Sequence, residues 1–297
     1  MATEKPAKPS AKQLAAEKKA KAAEELKEVR ILMLHGYTQS GALFRGRTRS
    51  LEKLLTRALS PYKLKPTLFY PTAPFRLSPR DIPGFKPPED GGEDGNGNNA
   101  DADAEIDSWA WWRWEEATGV YINLRETFDS VARCIREDAA GRVDAVIGFS
   151  QGACLAAMVA AAMEKLADGS FRRAPAADPE SRYDWGWVDG LREANGNVPL
   201  KFAVLYSSFK PPQQELAWLF EPKIQTPTLQ YIGSLDTVVS EERSRTLLDA
   251  SQDPVLVTHP GGHFLPVKKE WAAPLIGFIK KHSGVPEEEE EVVADEN

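Results

Sequence analysis

The sequence predicts a three-layer α/β fold, a mostly parallel sheet between two layers of helices. Three observations carry that expectation: short β-branched apolar runs alternate with helical periodicity from Val29 onward, the pattern continues to the end of the chain, and no internal repeat interrupts it. Ligands of such sheets bind where loops leave the carboxyl ends of the strands.

Val29–Leu34 reads as a strand buried on both faces and ends at His35-Gly36. Ser50–Leu59 places Leu51, Leu54, Leu55 and Leu59 at helical spacing, and a strand follows around Thr67–Tyr70, closed by Pro71 and Pro74. Asn123 with Glu126 three residues on is an N-cap signature, and Leu124, Phe128, Val131 and Ile135 form one stripe of the helix behind it. Val143–Phe149 is a further strand, leading through Ser150 into an Ala-rich helix over Ala153–Leu166. Lys201–Tyr206, Thr228–Ile232 and Val255–His259 complete the strands, with helices over Ser240–Ala250 and Glu270–His282.

The domain so delimited spans 29–285. The Lys/Ala/Glu head 1–28 and the tail 286–297, with seven acids and no base, lie outside it and are expected to be frayed or disordered. Two segments interrupt the alternation. Residues 81–107 crowd Gly, Asn and Asp into an acidic, flexible loop, and 169–199 read as an insertion on the rim. The first runs into four of the eight tryptophans, Trp109, Trp111, Trp112 and Trp114, a lid or loop insertion able to wall a pocket for apolar rather than charged groups. Packing of a surface loop onto the sheet is the competing reading of the same four residues.

Composition removes several classes of function. The chain has 297 residues, 42% hydrophobic and 27% charged, with a formal charge of −7 that is concentrated in the tail. The body is close to neutral, so it lacks the positive field that nucleic-acid binding needs. The longest apolar run, Ala153–Met163, falls short of the ~20 residues of a bilayer span. Two cysteines, Cys134 and Cys154, make neither a disulfide framework nor a metal site and suit a reducing, cytosolic setting, with the nucleus also open to the chain. Cys154 among Ala and Met reads as a packed core residue.

The chemistry centres on Gly148-Phe149-Ser150-Gln151-Gly152, a G-x-S-x-G turn between a strand and a helix. The turn lifts the Ser150 hydroxyl out of the sheet and aims a helix N-terminus at it. A serine hydroxyl needs a base, and of four histidines His263 sits in a flexible Gly-Gly loop after the last strand. His35 suits a loop-shaping role, His259 ends a strand, and His282 falls near the tail. Asp236 follows the Thr228–Ile232 strand and precedes His263, as the orienting acid should, whereas Asp253 and Glu241 lie at turn and helix positions. Capping of the helix that starts near Ser240 is the lesser reading of Asp236. The chain order Ser150, Asp236, His263 is that of the α/β-hydrolase fold. The amides of Gln151 and of Tyr37, in the His35-Gly36-Tyr37 loop, are the expected oxyanion donors.

Four segments resemble the FSH family, serine hydrolases of fungi and animals: Arg30–Tyr37, Gly148–Ala153, Gly233–Asp236 and Thr258–Pro266 with its His-Pro-Gly-Gly-His element. The likeness runs from about Val29 to Lys281 and implies an α/β-hydrolase cleaving carboxylic esters or thioesters with no metal and no cofactor. The elbow alone also resembles that of acyl-protein thioesterases. The expected partner is a small-molecule acyl ester or thioester, with Trp109, Trp111, Trp112, Trp114 and Phe209 lining its pocket; a homodimer is compatible with the sequence. A carrier-linked acyl thioesterase and a non-catalytic scaffold on the same fold are the competing readings.

Overall fold

The computed structural model describes residues 26–82, 106–115, 117–176 and 183–286. Most of the charged head, the acidic tail and the greater part of the 81–107 loop lie outside the described residues.

Six parallel strands form the central sheet: β1 (Lys27–Leu34), β2 (Leu64–Phe69), β7 (Ala145–Phe149), β8 (Phe202–Tyr206), β9 (Thr228–Gly233) and β10 (Val255–His259). Their spatial order is β2-β1-β7-β8-β9-β10. The chain runs outward from β1 to β2 and then returns to the other side of β1, so the switch point falls between β1 and β7. Register sets the strand ends level: Leu34 pairs with Gly148, Phe149 with Tyr206, Tyr206 with Tyr231, and Gly233 with His259. The loops after β1, β7, β9 and β10 therefore leave the sheet side by side.

Alternating side chains send the sheet into two cores. Ile31 and Met33 pack with α1 (Gly41–Leu59) and α6 (Lys269–His282), whereas Leu32 and Leu34 pack with α2 (Leu124–Glu137), α3 (Gln151–Met163) and α4 (Trp187–Ala194). Every residue of α3 is buried, which explains a sequence with no polar stripe: the helix lies against the sheet and is covered by α4 and by the turn Gln214–Leu219. Alanine at so many positions lets that close packing occur.

Three elements differ from their sequence reading. Helix α1 starts at Gly41, with the Ser40 hydroxyl accepting the Leu43 N–H, because three arginines and Gly46 hide the period of its first half. Asn123 precedes α2 but takes a left-handed backbone, φ 69°, and its side chain makes no cap bond. Residues 183–199 are no rim insertion. Trp187 of α4 is 2% exposed and stacks on Phe128 of α2 at 3.5 Å, so this half of the segment completes the helix layer. Arg172, in the earlier part of the 169–199 segment, is buried against Glu164.

The Trp-rich stretch contributes to two short antiparallel pairs, β3 (Phe75–Arg76) with β4 (Trp109–Ala110) and β5 (Arg113–Glu115) with β6 (Val120–Ile122). The remaining helix, α5 (Glu241–Asp249), starts at Ser240, whose hydroxyl accepts the Arg243 N–H.

Candidate active site

Ser150 stands at the turn from β7 into α3 with φ 55° and ψ −119°, a conformation that costs a non-glycine residue of order 1–3 kcal/mol. The surroundings enforce it. A Cβ on Gly148 would meet the Gly152 carbonyl oxygen at 2.2 Å, and one on Gly152 would meet the Leu34 and His35 carbonyl oxygens at 2.3 Å each. Glycine at both flanks is therefore a packing requirement, and the Ser150 N–H continues the ladder by donating to Tyr206 O at 2.9 Å.

Asp236 and His263 come from the loops after β9 and β10. These loops are laced to each other: the Ser234 N–H donates to His259 O at 2.9 Å and the Leu235 N–H to Gly261 O at 3.0 Å. A Cβ on Gly233 would lie 2.6 Å from both the Gly261 and Gly262 carbonyl oxygens. The Gly-Gly before His263 thus lies against the glycine that starts the acid loop. His263 Nε2 stands 2.9 Å from Ser150 Oγ and Nδ1 stands 2.8 Å from Asp236 Oδ2. The Asp236 side chain is 1% exposed and its Oδ1 accepts the Val238 and Val239 N–H groups, both at 2.9 Å. Asp236 thus faces the base with one oxygen and closes the 236–239 turn with the other, while the helix that follows is capped by Ser240 rather than by Asp236. Burial pushes its carboxyl up, but the Val239 N–H and His263 outweigh it and hold the group below the ordinary range.

Tyr37 and Ser150 line the same clefts, and Gln151 follows Ser150 in the chain. Among the described residues neither the Gln151 nor the Tyr37 N–H donates to a protein acceptor, whereas Thr38 N–H donates to Trp109 O and Gln39 N–H to Gly36 O. Gln151 opens α3, so the positive end of that helix adds to the same point. The Tyr37 hydroxyl donates to Asp81 O at 2.8 Å.

The four tryptophans divide. Trp112 and Trp114 line a cleft of about 600 Å³ beside Ser150, together with Phe209, Tyr121 and Val238. Trp109 and Trp111 line neither this cleft nor its neighbour, contrary to the sequence reading. Trp111 is fully buried and its Nε1–H donates to His35 O; the Trp109 backbone bridges Gln39. Both brace the loop after β1. The Gln151 side chain extends the brace, accepting the Trp111 N–H at 2.9 Å and donating to Trp112 O at 3.0 Å.

A second cleft of about 650 Å³ opens on the other side of Ser150, lined by His263, Phe149, Phe44, Ile82, Phe264 and Leu265 among others. Phe264 and Val238 were within reach of sequence reasoning, being neighbours of the base and acid; Tyr121 and Arg243 carried no signal.

The other histidines take no part in this constellation. His35 is fully buried, with Nδ1–H donating to Gly36 O and Nε2 accepting the Ala73 N–H, and burial lowers it to about 4. His259 ends β10 against Phe264 and Trp271, and His282 packs on Phe278 at 4.4 Å rather than standing in solvent. Cys154 is buried, which raises its thiol far above the ordinary range, as a core role requires. Among the described residues no cluster of His, Cys, Asp or Glu could hold a metal, and no helix is long and apolar enough to cross a membrane.

A parallel sheet carrying a serine elbow, with an Asp–His pair from its last two strand loops, is the α/β-hydrolase fold. The fold is shared with maize acyl-protein thioesterase 2 (18% identity, TM-score 0.50, covering 87% of this chain and 95% of that one) and with Arabidopsis thaliana SOBER1 (16%, TM-score 0.52, 86% and 100%). Residues 24–275 match the family described as Serine hydrolase (FSH1), and the chain belongs to that family. Relatives include the Saccharomyces cerevisiae "Family of serine hydrolases 3" (27% identical, 84% of this chain and 83% of that protein) and the Danio rerio "Esterase OVCA2" (26%, 85% and 97%). An uncharacterized Schizosaccharomyces pombe hydrolase is 27% identical over 84% of this chain, which spans only half of its length.

Proposed function

We propose that the chain hydrolyses carboxylic esters or thioesters of apolar acyl groups through an acyl-enzyme. The observation that carries this reading is the unbroken chain Asp236 Oδ2, His263 Nδ1, His263 Nε2, Ser150 Oγ, with Ser150 lining two clefts. Ser150 Oγ attacks the acyl carbonyl as His263 Nε2 takes its proton, and Asp236 holds the imidazole in the tautomer with Nδ1–H. The Tyr37 and Gln151 amides receive the oxyanion. His263 then returns the proton to the departing alcohol or thiol, and water releases the acid by the same route.

His263 lines only the Phe44–Leu265 cleft. A general acid must reach the leaving group, so that cleft suits the alcohol or thiol portion, and the cleft of Trp112, Trp114 and Phe209 suits the acyl group. A scaffold role would put no constraint on these distances, so the intact geometry favours the enzyme.

The test is hydrolysis of an aryl-ester series of rising acyl length by wild type and by Ser150→Ala. Activity that vanishes in the variant and rises with acyl length to an optimum supports the reading. Equal rates in both proteins, or efficiency falling throughout the series, refute the serine mechanism and the apolar acyl cleft respectively.

A further inference from the structure

The cleft beside Trp112 and Trp114 is aromatic along one wall but carries four charged side chains, Asp81, Arg113, Glu115 and Arg243. Three of them are engaged. Asp81 Oδ2 accepts the Ser78 N–H and hydroxyl at 2.8 Å each and lies 3.7 Å from Arg113 Nη2. Arg113 also donates to Arg76 O at 3.0 Å, and Glu115 accepts the Thr118 hydroxyl.

Arg243 differs. Its guanidinium lies 4.4 Å over the ring of Phe209, and among the described residues no carboxylate stands within ion-pair distance of it. Glu241, two residues before it, is taken by Arg245. A guanidinium laid on an aromatic face keeps its edge free, and that edge presents paired N–H donors matching the two oxygens of a carboxylate. The position is fixed from both sides. Arg243 stands on the first turn of α5, whose start is held by the Ser240 cap and by the Val238 and Val239 N–H groups on Asp236. Its charge reaches inward as well: burial raises Tyr121 and Cys154, and the positive charge of Arg243 opposes that rise at both. Cys154 is one turn into the helix that starts at Ser150, so the cation lies within electrostatic reach of the elbow.

We propose that this cleft receives an acyl chain whose far end carries a carboxylate, its methylene stem against Trp112, Trp114 and Phe209 and its carboxylate on Arg243. The substrate class is a half ester or half thioester of a dicarboxylic acid, and hydrolysis yields the free dicarboxylate with the alcohol or thiol. This rests on the ester-hydrolase reading above and specifies its acyl group, an apolar stem with an anionic end.

The experiment uses N-acetylcysteamine thioesters of adipic and suberic acid, each beside the same chain ending in a neutral primary amide. Thiol release is followed with wild type, Ser150→Ala, Arg243→Gln and Arg243→Glu. Wild type is expected to favour the carboxylate over the amide in kcat/KM by about tenfold or more, the low end for a charged hydrogen bond. The ratio collapses toward one in Arg243→Gln and inverts in Arg243→Glu. A wild-type ratio near one, or a ratio the Arg243 variants leave unchanged, overturns the proposal while turnover of the amide-ended chain keeps the hydrolase reading. Equal thiol release by wild type and Ser150→Ala overturns both.

Discussion

Replacing Asp236 by Asn separates the two duties of that carboxylate. Oδ1 accepts the Val238 and Val239 N–H groups, and Oδ2 faces His263 Nδ1 at 2.8 Å. An amide can keep its oxygen on the two N–H groups, which leaves its NH2 against His263. The imidazole must then present Nδ1 as acceptor and carry its proton on Nε2, the atom 2.9 Å from Ser150 Oγ. In that tautomer His263 cannot take the serine proton. The expected loss in kcat is about 10⁴, the size seen when an acid of this type becomes an amide, or about 5.5 kcal/mol of transition-state stabilisation. Thermal unfolding should move little, since the loop bonds survive. Asp236→Ala loses both oxygens, leaves two N–H groups unpaired and adds a stability loss of about 1–3 kcal/mol. Steady-state kinetics on an aryl ester, read beside calorimetric melting of both variants, makes the comparison. Asp236→Asn turnover within tenfold of wild type would refute the claim that Asp236 sets the His263 tautomer.

Further outcomes follow from other contacts. Gly233→Ala forces a Cβ against two backbone oxygens that cannot yield, so the acid and base loops part; we expect about 1–3 kcal/mol lost in urea unfolding and a fall in kcat of at least about tenfold. His35 is neutral in the folded protein because burial holds it at about 4, whereas unfolded it titrates near 6.5. The unfolded state therefore binds the extra proton in that window, and stability should fall by up to about 3 kcal/mol as pH drops from 6.5 through 4. His35→Gln, which retains an acceptor for Ala73 and a donor for Gly36, should show a flatter stability profile over that range. Glu164 accepts from buried Arg172 and from the Gln225 and Thr226 N–H groups, so Glu164→Ala strands a buried cation and should cost about 3–5 kcal/mol, read as a drop in melting temperature of about 10 °C.

The sequence made the elbow legible because its constraints are local: two glycines, a strand before and a helix after are all set by one turn. The Val255–His259 strand appears with the same bounds, and the six-strand parallel sheet agrees with the alternation read from the chain. Asp236 and His263 could be picked by chain order, and the structure brings both to Ser150. What could not be read depends on orientation. Four tryptophans in six residues announce an aromatic structure, but strand pairing decides which rings turn inward, and it sends Trp111 under the β1 loop while Trp114 stays half exposed. Trp187 was obscured differently. The Arg, Pro and Asp around it look like surface, yet Arg172 is neutralised internally by Glu164 and by the carbonyls of Trp218, Pro222 and Lys223.

The two halves of the site are held by different means, and that difference bears on how specificity can vary. Ser150 and the Gln151 amide are fixed by fully buried elements, β7 and α3, where a single added methyl group meets backbone at 2.2–2.3 Å. Asp236 and His263 are fixed instead by loop-to-loop bonds around Gly233, and their immediate neighbours Leu235, Val238 and Phe264 are 68%, 62% and 50% exposed. The lacing uses backbone atoms, so those exposed side chains can change size or charge without moving the acid or the base. Arg243 follows the same logic, since its helix is seated by the Ser240 hydroxyl and its guanidinium only by the Phe209 face. The acid and the base are thus seated by backbone atoms of their two loops, while the exposed side chains beside them, and Arg243 at the start of α5, remain free to vary. Substitutions at 238, 243 and 264 should therefore shift substrate preference by more than they shift stability, the reverse of the order expected at 148, 152 and 233.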